Sequence, residues 1–221
     1  SIDTGQNPKL EGLYCSKGDI TSLDVSQNAE LQRLYCNENN LSELDVTANP
    51  KLKELDCYSN NISTLIVNNC PELYSLDCSS NSLTALDVSC CPKLILLNCR
   101  GNEIAHLDLD VCVELMTLNC SFNPIADLDI SHNLLLENLN ITYLDLTHLD
   151  VSKHSVLQVL ECAYVPLNTL DVSNNSELRE LVCSKMEITE LDVTQNKKLE
   201  LLDCEGLNLQ HLDLINNSEL R

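Results

Sequence analysis

The sequence lacks the residues that usually fill an aromatic core. It contains no Trp and a single Phe in 221 residues, although 43% of its residues are apolar. The core must therefore consist of aliphatic side chains and of the 13 cysteines, which behave as small hydrophobes when they are buried. No apolar run approaches the roughly 20 residues that cross a bilayer, so we expect no membrane insertion.

Positive charge is also scarce. The chain has 13 Lys and Arg against 34 Asp and Glu, which gives a formal net charge of −21. This balance argues against nucleic acid as a partner, because phosphates attract the opposite sign. It is compatible with a basic protein partner, with divalent cations, or simply with solubility.

A repeat of 21 residues runs through the whole chain without an insertion or a deletion. The triplet Leu44-Asp45-Val46 recurs with minor substitutions, and its copies begin at Leu23, Leu44, Leu65, Leu86, Leu107, Leu128, Leu149, Leu170, Leu191 and Leu212. One unit of this length cannot bury its own apolar face, whereas stacked units share a continuous core. The sequence therefore predicts a mainly β solenoid of ten units. We number them so that residues 23–43 form unit 2.

The array is predicted to occupy residues 1–221 as a single domain. Both ends fall within a repeat, neither end carries the polar cap that usually closes a solenoid, and the chain shows no signal peptide. We therefore expect it to be a piece of a longer protein.

The middle of each unit alternates as a strand does. In unit 2, Leu34 and Cys36 are predicted to point inward, while Arg33 and Tyr35 point outward. Copies one unit apart must then stack in parallel, about 4.8 Å from each other, and form one long curved sheet with an outward concave face. The triplet at residues 23–25 alternates in the same way and predicts a second, shorter extended segment on the convex side.

The stretch Leu31-x-x-Leu34-x-Cys36-x-x-Asn39-x-Leu41 resembles the leucine-rich-repeat pattern LxxLxLxxNxL, with cysteine in the third leucine position. The 21-residue period and the LDVS-type segment are most similar to the bacterial internalins that carry a cysteine ladder. This resemblance implies a right-handed leucine-rich-repeat horseshoe or arc. It also implies a bacterial cell-surface or secreted location and a role in adhesion or virulence.

Nine cysteines share one inward position, which Ile141 occupies in unit 7. An aliphatic residue there indicates that the position needs a buried apolar group rather than sulfur chemistry. Neighbouring Cα atoms would lie within disulfide range, but parallel Cβ directions keep the Cβ atoms too far apart. We therefore predict a structural ladder of free thiols, formed by Cys15, Cys36, Cys57, Cys78, Cys99, Cys120, Cys162, Cys183 and Cys204.

Four further cysteines leave alternatives open. Cys70, Cys91 and Cys112 replace an asparagine found at the same position of other units, and Cys90 adjoins Cys91. Four sulfurs could hold zinc or form disulfides, although the spacing is not that of a CxxC motif. The other interpretation is a second, shorter stack of thiols.

Two polar columns also follow the repeat. An inward asparagine recurs in units 2 to 6 and can bond to buried backbone groups of the turn. Leu144, Val165, Met186 and Leu207 replace it in later units, where we predict a changed turn or a bound water. The triplet aspartate occurs in ten of eleven copies. We predict that each carboxylate bonds to nearby backbone N–H groups, with a strip of divalent cations as the alternative.

The aromatic residues all lie on or beside the predicted strand, and none lies on the convex side. Tyr14 and Tyr35 are copies of one outward position, Phe122, Tyr143 and Tyr164 are copies of another, and Tyr58 and Tyr74 lie nearby. Exposed aromatic rows are typical interface anchors, although such rows can also stack merely to stiffen a sheet. We take Tyr14, Tyr35, Tyr58, Phe122, Tyr143 and Tyr164 as candidate ligand-binding residues, together with the acidic residues Glu54, Asp56, Asp77 and Glu161.

Catalysis finds little support in the sequence. There is no glycine-rich phosphate loop, HExxH or GxSxG motif, and three of the five histidines, His106, His148 and His211, share one repeat position. Asp56 and Asp77 could resemble an acid–base pair, but we expect a regular array to offer no pocket that raises the pKa of either. We therefore predict no enzyme activity, no cofactor and no metal site.

The sequence as a whole predicts a non-enzymatic recognition module that binds through its concave face. The resemblance suggests a protein or glycan ligand on a host cell or matrix, and we expect a monomer. Two alternatives remain at this point, an acidic inhibitor or scaffold for a basic protein and a passive spacer.

Overall fold

Each unit contributes one short strand to a single parallel sheet. The computed structural model describes residues 2–221, and this part of the chain contains no helix. Its fourteen strands are β1 (Ile2–Asp3), β2 (Gly12–Tyr14), β3 (Leu23–Asp24), β4 (Arg33–Tyr35), β5 (Glu43–Asp45), β6 (Glu54–Asp56), β7 (Thr64–Ile66), β8 (Ser75–Asp77), β9 (Leu96–Asn98), β10 (Thr117–Asn119), β11 (Asn138–Asn140), β12 (Val159–Glu161), β13 (Glu180–Val182) and β14 (Leu201–Asp203).

The main sheet has ten strands in the order β2-β4-β6-β8-β9-β10-β11-β12-β13-β14. All neighbours are parallel, and each residue pairs with the residue 21 positions later, so that Leu13 faces Leu34 and Leu34 faces Leu55. The predicted solenoid of ten units is therefore confirmed. We call the outward side of these ten strands the sheet face.

The core is a stack of equivalent aliphatic and thiol groups. Within each strand the middle leucine points inward, and Leu34, Leu55 and Leu76 are at most 1% exposed. The buried leucines and ladder cysteines come from the positions that the repeat pattern predicted, and no Phe or Tyr of the described chain is buried. This composition follows from the absence of Trp and the single Phe. The position after the ladder cysteine is also buried in several units, as at Asn37 and Ser121.

The convex side differs from the prediction in part. The triplet forms paired strands in units 1 to 4, where β1 pairs with β3 and β5 pairs with β7. From residue 86 onward the same triplet forms no strand. Its conformation there is held within the unit by the aspartate.

The aspartate bonds are the ones that the sequence predicted. In unit 2, Asp24 Oδ1 accepts a hydrogen bond from Ser26 N at 2.9 Å, and the equivalent bond recurs in all ten units that carry the aspartate. These bonds lower the pKa of the Asp24 carboxyl, because they stabilise its charged form. A local backbone bond therefore accounts for the choice of aspartate without a cation.

Two tight turns follow the triplet in each unit. In unit 2 they are closed by Asn28 N donating to Val25 O and by Leu31 N donating to Asn28 O, both at 3.0 Å. Asn49, at the junction of the turns in unit 3, donates through Nδ2 to Val25 O at 3.0 Å and to Asn28 O at 2.8 Å, one unit earlier. This column of side chains therefore ties neighbouring units together on the convex side.

The turn after the strand changes between unit 6 and unit 7, as the asparagine column predicted. In unit 5, Asn102 Nδ2 donates to Cys78 O and Cys99 O, and its Oδ1 accepts from Leu83 N at 2.9 Å. In unit 7, Leu144 N instead donates to Ile141 O at 3.2 Å and closes a backbone turn. The same kind of turn occurs at residues 163–164, 184–185 and 205–206.

Candidate functional site

The tyrosines of units 2 to 4 are held by carboxylates, and Tyr14 of unit 1 packs against one of them. The rings of Tyr14 and Tyr35 lie edge to face, with centroids 5.0 Å apart. The hydroxyls of Tyr35 and Tyr74 both donate to the Glu54 carboxylate. The bond to Glu54 raises the pKa of Tyr35 to about 12, and the two hydroxyl donors lower the pKa of Glu54. This cluster is therefore fixed by its own hydrogen bonds.

Tyr58 is held in the same way, since its hydroxyl donates to Glu38 Oε1 at 2.8 Å. The bond raises the pKa of Tyr58 and lowers that of Glu38. Only Tyr14 of this group is strongly exposed, at 60%.

The aromatic residues of units 6 to 8 form a stack just past the ends of β10, β11 and β12. The ring centroids of Phe122 and Tyr143 are 4.7 Å apart, and those of Tyr143 and Tyr164 are 4.3 Å apart with an interplanar angle of 9°. The Arg100 guanidinium lies over the free side of Phe122, 4.7 Å from its centroid, in a cation–π contact. We call Phe122, Tyr143 and Tyr164 the aromatic stack.

The backbone puts the stack at the surface. All three residues have positive φ, between +56° and +59°, which is uncommon for bulky side chains and strains the backbone. Each ring remains more than 40% exposed. These residues are therefore exposed, as an interface anchor must be, and they also stack on each other, as the alternative expected.

The acidic candidates lie on the strands of the same units, with Glu54 and Asp56 on β6, Asp77 on β8 and Glu161 on β12. Asp77 Oδ1 accepts from Ser79 N at 3.0 Å, and its Oδ2 accepts from Asn98 Nδ2 at 2.9 Å. Glu161 Oε2 accepts from Asn140 Nδ2 at 2.8 Å. These groups form a polar line along the sheet face.

Asp56 overturns one expectation from the sequence. Partial burial, with the neighbouring Asp77 charge, raises the pKa of Asp56 to about 6, and its Oδ1 is buried without a hydrogen-bond partner. The expectation that a regular array cannot raise a carboxyl pKa was wrong. The stacking itself causes the shift, because it places a like charge one unit away and excludes water between the two strands.

The thiol ladder lies inside the solenoid. Its members from Cys36 to Cys183 are buried, and Cys15 and Cys204 in the first and last units are half-buried. Burial raises the pKa of the thiols, to about 12 for Cys99 and Cys183, so they carry almost no thiolate, which is the reactive form.

The other four cysteines do not form one group. Cys70, Cys91 and Cys112 are buried, whereas Cys90 is exposed at the surface, and all thirteen thiols are free. Cys70 Sγ approaches Val46 O at 3.7 Å, in the place where asparagine donates in other units. Residues 2–221 contain no group of three or more His, Cys, Asp or Glu side chains arranged to hold a metal ion.

Shallow grooves run along the convex side rather than the sheet face. One of about 640 Å³ is lined by Asp24, Glu43, Asp45 and neighbours, and another by His148, Asp150 and Lys153 among others. None of the ten candidate ligand-binding residues lines the four main grooves of the described residues. The candidate surface is therefore an open face, which suits a large partner better than a small molecule.

The sequence reasoning missed a group of exposed aliphatic residues. Val111, Val113, Leu134, Leu135 and Val156 lie in the turns that precede the strands of units 6 to 8 and are between 37% and 51% exposed. We call these five residues the aliphatic edge. A signal was present, because the same turn positions hold polar residues or Pro in most other units.

Comparison with known proteins supports the fold assignment. The functional domain of InlJ from Listeria monocytogenes, which includes a cysteine ladder, is 36% identical and covers the whole chain with a TM-score of 0.98. A leucine-rich-repeat protein of Leptospira interrogans is 21% identical with a TM-score of 0.91, and an internalin of L. monocytogenes, inlF, is 20% identical with a TM-score of 0.80. These two likenesses concern the fold alone.

The chain spans 49% of the InlJ domain, 62% of the Leptospira protein and 74% of the inlF chain. No protein-family model matches the sequence, and no curated protein is significantly similar to it. Residues 2–221 contain no helix that could cross a membrane. The chain is therefore a leucine-rich-repeat array with a cysteine ladder, and it resembles the internalins, InlJ in particular.

Proposed function

We propose that the chain is a non-enzymatic protein-binding module of a bacterial cell-surface or secreted protein, and that it binds through the sheet face. The likeness to InlJ over the whole chain supports this class of function. The expected setting is adhesion or virulence, with the partner on a host cell or in its matrix and the chain itself monomeric.

The aromatic stack is the observation that carries the proposal. Three large rings stand at the surface on strained backbone, although the same positive-φ position holds Lys, Glu, Ser or Gly in the other seven units, so the turn itself does not require an aromatic residue. The strain is repaid in part by stacking, but stacking does not require the rings to remain exposed. Large exposed aromatic side chains are the residues that contribute most to binding at protein interfaces.

A protein partner fits the stack better than a glycan. Flat packing of a sugar requires a free ring face, but the faces of Tyr143 lie against Phe122 and Tyr164, and Arg100 covers the other side of Phe122. The rings instead present their edges and two hydroxyls outward, which suits hydrogen bonds and edge contacts. The acidic line of Asp56, Asp77 and Glu161 would add selectivity for basic groups.

The test is a pull-down from extracts of host-cell surfaces and matrix at low and moderate salt. Wild type is compared with the variant Phe122→Ala, Tyr143→Ala, Tyr164→Ala, after both have shown the same cooperative unfolding. We expect capture that persists at moderate salt and is lost in the variant. Equal capture by both proteins would refute the aromatic anchor.

The same experiment separates the two alternatives. An acidic inhibitor or scaffold would capture basic proteins through charge alone, so capture would disappear with salt in both forms. A passive spacer would capture nothing specifically in either form.

A further inference from the structure

The turn before each strand carries turn-forming or charged residues in most units, and units 6 to 8 have aliphatic residues at some of these positions. The turn is closed by backbone bonds such as Leu52 N to Asn49 O at 3.0 Å, and its second residue is Pro50, Pro71 or Pro92 in units 3 to 5. Proline is favoured there because its fixed φ suits the turn. Units 6 and 7 have Val113 and Leu134 instead, which offer neither turn chemistry nor core packing.

The third position of the same turn carries a ladder of ion pairs between units. Lys51 Nζ lies 2.5 Å from Glu30 Oε2, and the pairs Lys93–Glu72 and Lys198–Glu177 repeat this contact at 2.7 and 2.5 Å. Units 7 and 8 replace the pair by Leu135 and Val156. These side chains are exposed, so neither the local turn nor the core explains them.

The aliphatic edge and the aromatic stack occupy the same three units on opposite sides of the strands. Leu135 lies three residues before β11, and Tyr143 lies three residues after it. The six outward strand positions between them are Thr117, Asn119, Asn138, Asn140, Val159 and Glu161, and only Glu161 is charged.

Acidic strands flank this uncharged region on both sides. Units 3 and 4 present Glu54, Asp56 and Asp77, and units 9 and 10 present Glu180 and Asp203. In a chain with a net charge of −21, the near absence of charge from the outward strand positions of units 6 to 8 is a local feature of the sheet face. Depletion of charge at the centre with polar groups at the rim is the ordinary composition of a protein interface.

The dimensions suit a protein. The ten residues from Leu134 to Tyr143 span at most about 32 Å, and the neighbouring units extend the surface along the solenoid. A standard interface buries about 800 Å² on each partner, so a protein that covers units 6 to 8 and overlaps the acidic units reaches this size.

We propose that the aliphatic edge is a second contact surface for the same polypeptide partner, which lies across the strands of units 6 to 8 and touches the aromatic stack with its other side. The partner has an apolar, uncharged centre and Lys or Arg at its rim, opposite the acidic strands of units 3–4 and 9–10. A second copy of this chain does not fit, because an antiparallel pair would set one acidic flank against the other. The inference rests on the proposed function and narrows its partner.

A displayed library of random 16-residue peptides, selected on the full chain at about 0.3 M salt to weaken long-range attraction, tests this inference. Enriched peptides are measured against wild type and three variants. The edge variant carries Val113→Ser, Leu134→Ser, Leu135→Ser and Val156→Ser. The stack variant carries alanine at Phe122, Tyr143 and Tyr164. The matched control carries Glu177→Ser and Lys198→Ser at the equivalent turns of units 9 and 10.

We expect enriched peptides to combine apolar residues with Lys or Arg, and to lose at least tenfold in affinity for both the edge and the stack variants but not for the control. Undiminished binding to the edge variant overturns the inference, as does the absence of enrichment. If only the stack variant loses binding, the proposed function stands and the second surface falls. If neither variant loses binding, both fall.

Measuring the molar mass in solution checks independently whether a second copy of the chain binds the aliphatic edge. All the substituted residues of the edge variant are exposed in turns, so it should unfold at the same temperature as the control. A concentration-dependent dimer of wild type that the edge variant abolishes would assign the surface to a second copy instead, and would overturn the proposal.

Discussion

Units 2 to 6 and units 7 to 10 satisfy the same turn in two ways. In the first group an asparagine side chain bonds to carbonyls of its own unit and of the unit before, as Asn39 does with Cys36 O and Cys15 O at 2.9 Å. In the second group the backbone closes the turn within the unit, as Leu144 N does with Ile141 O. At this turn the first solution joins neighbouring units through polar side chains, whereas the second does not; the later units keep their polar inter-unit bonds in the other asparagine column, as Asn175 does with Val151 O and His154 O.

The aromatic residues differ between the same regions. Tyr35, Tyr58 and Tyr74 are bound by Glu54 and Glu38, so their hydroxyls are already occupied. The aromatic stack meets other rings and Arg100 instead. At the strand-end turn and among the aromatic residues alike, the N-terminal units therefore use polar bonds where the later units use apolar contacts.

The largest expected effect comes from Asn102→Leu, which imposes the later design on an earlier unit. It leaves Leu83 N and two carbonyls without their side-chain partner. Unpaired buried groups cost about 1–3 kcal/mol each, and partial repair by a backbone turn reduces the sum, so we expect a loss of about 2–4 kcal/mol in the free energy of unfolding. Urea denaturation measures it.

The matched change in the later region is Met186→Leu, which conserves volume and should cost less than about 1.5 kcal/mol. Equal losses for the two variants would show that the asparagine bonds do not distinguish the regions.

The second effect concerns local opening, which native-state thiol labelling reports. Cys90 is exposed and should react at once, whereas buried thiols react only when their units open. Units 3 and 9 both have the convex asparagine bonds, but only unit 3 has the strand-end asparagine bond to the preceding unit. One inter-unit hydrogen bond is worth about 1 kcal/mol, so we expect Cys183 to react roughly fivefold faster than Cys57. Mass spectrometry of labelled peptides gives each rate, and a reversed order would contradict the comparison.

A smaller effect is expected at the positive-φ position of the turn. Ser80 has φ +53°, so Ser80→Gly should relieve strain and raise the free energy of unfolding by about 0.5–1 kcal/mol. Tyr143→Gly relieves the same strain but removes two stacked pairs, each worth about 0.5–1.5 kcal/mol. Thermal unfolding should therefore show a gain for the first variant and no gain for the second. A gain in both would mean that stacking adds nothing.

A further effect is a pH dependence of the free energy of unfolding that arises from Asp56. Its pKa of about 6 lies above the ordinary value of about 4. The folded protein therefore binds this proton more tightly, and the free energy of unfolding falls as the pH rises from 4 through 6. Asp56→Asn should be more stable than wild type at pH 7.5 and nearly equal to it below pH 4.

Asp171→Asn is the control of opposite sign. Hydrogen bonds from Ser173 lower the pKa of Asp171, so its contribution is present above pH 4 and is lost in acid. That variant should lose stability at pH 7.5. Denaturant midpoints at several pH values test both, and a loss for Asp56→Asn at pH 7.5 would contradict the argument.

The sequence predicted the features that depend on the period alone. Leu34 and Cys36 had to point inward because their copies alternate with polar residues, and the aspartates had to find a local partner because their charges stack. It did not predict the pKa of Asp56 or the surface position of Cys90, since both depend on how water reaches one side chain in the folded array. The residues of the aliphatic edge can be read from the sequence, but their exposure follows only from the turn geometry, which places Val113 and Leu134 outside the core.

The unbroken period also fixes the distances between surface features of the solenoid. Because no unit contains an insertion, the separation between two surface features is a whole number of strand spacings: Tyr35 on β4 and the strand preceding Tyr143, β11, are five spacings apart, or about 24 Å at about 4.8 Å for each spacing. Adding or removing 21 residues changes that separation by one step and leaves every strand register intact. The distance between two contact regions can therefore be altered only in fixed increments, which makes unit number itself a way of matching partners of different size.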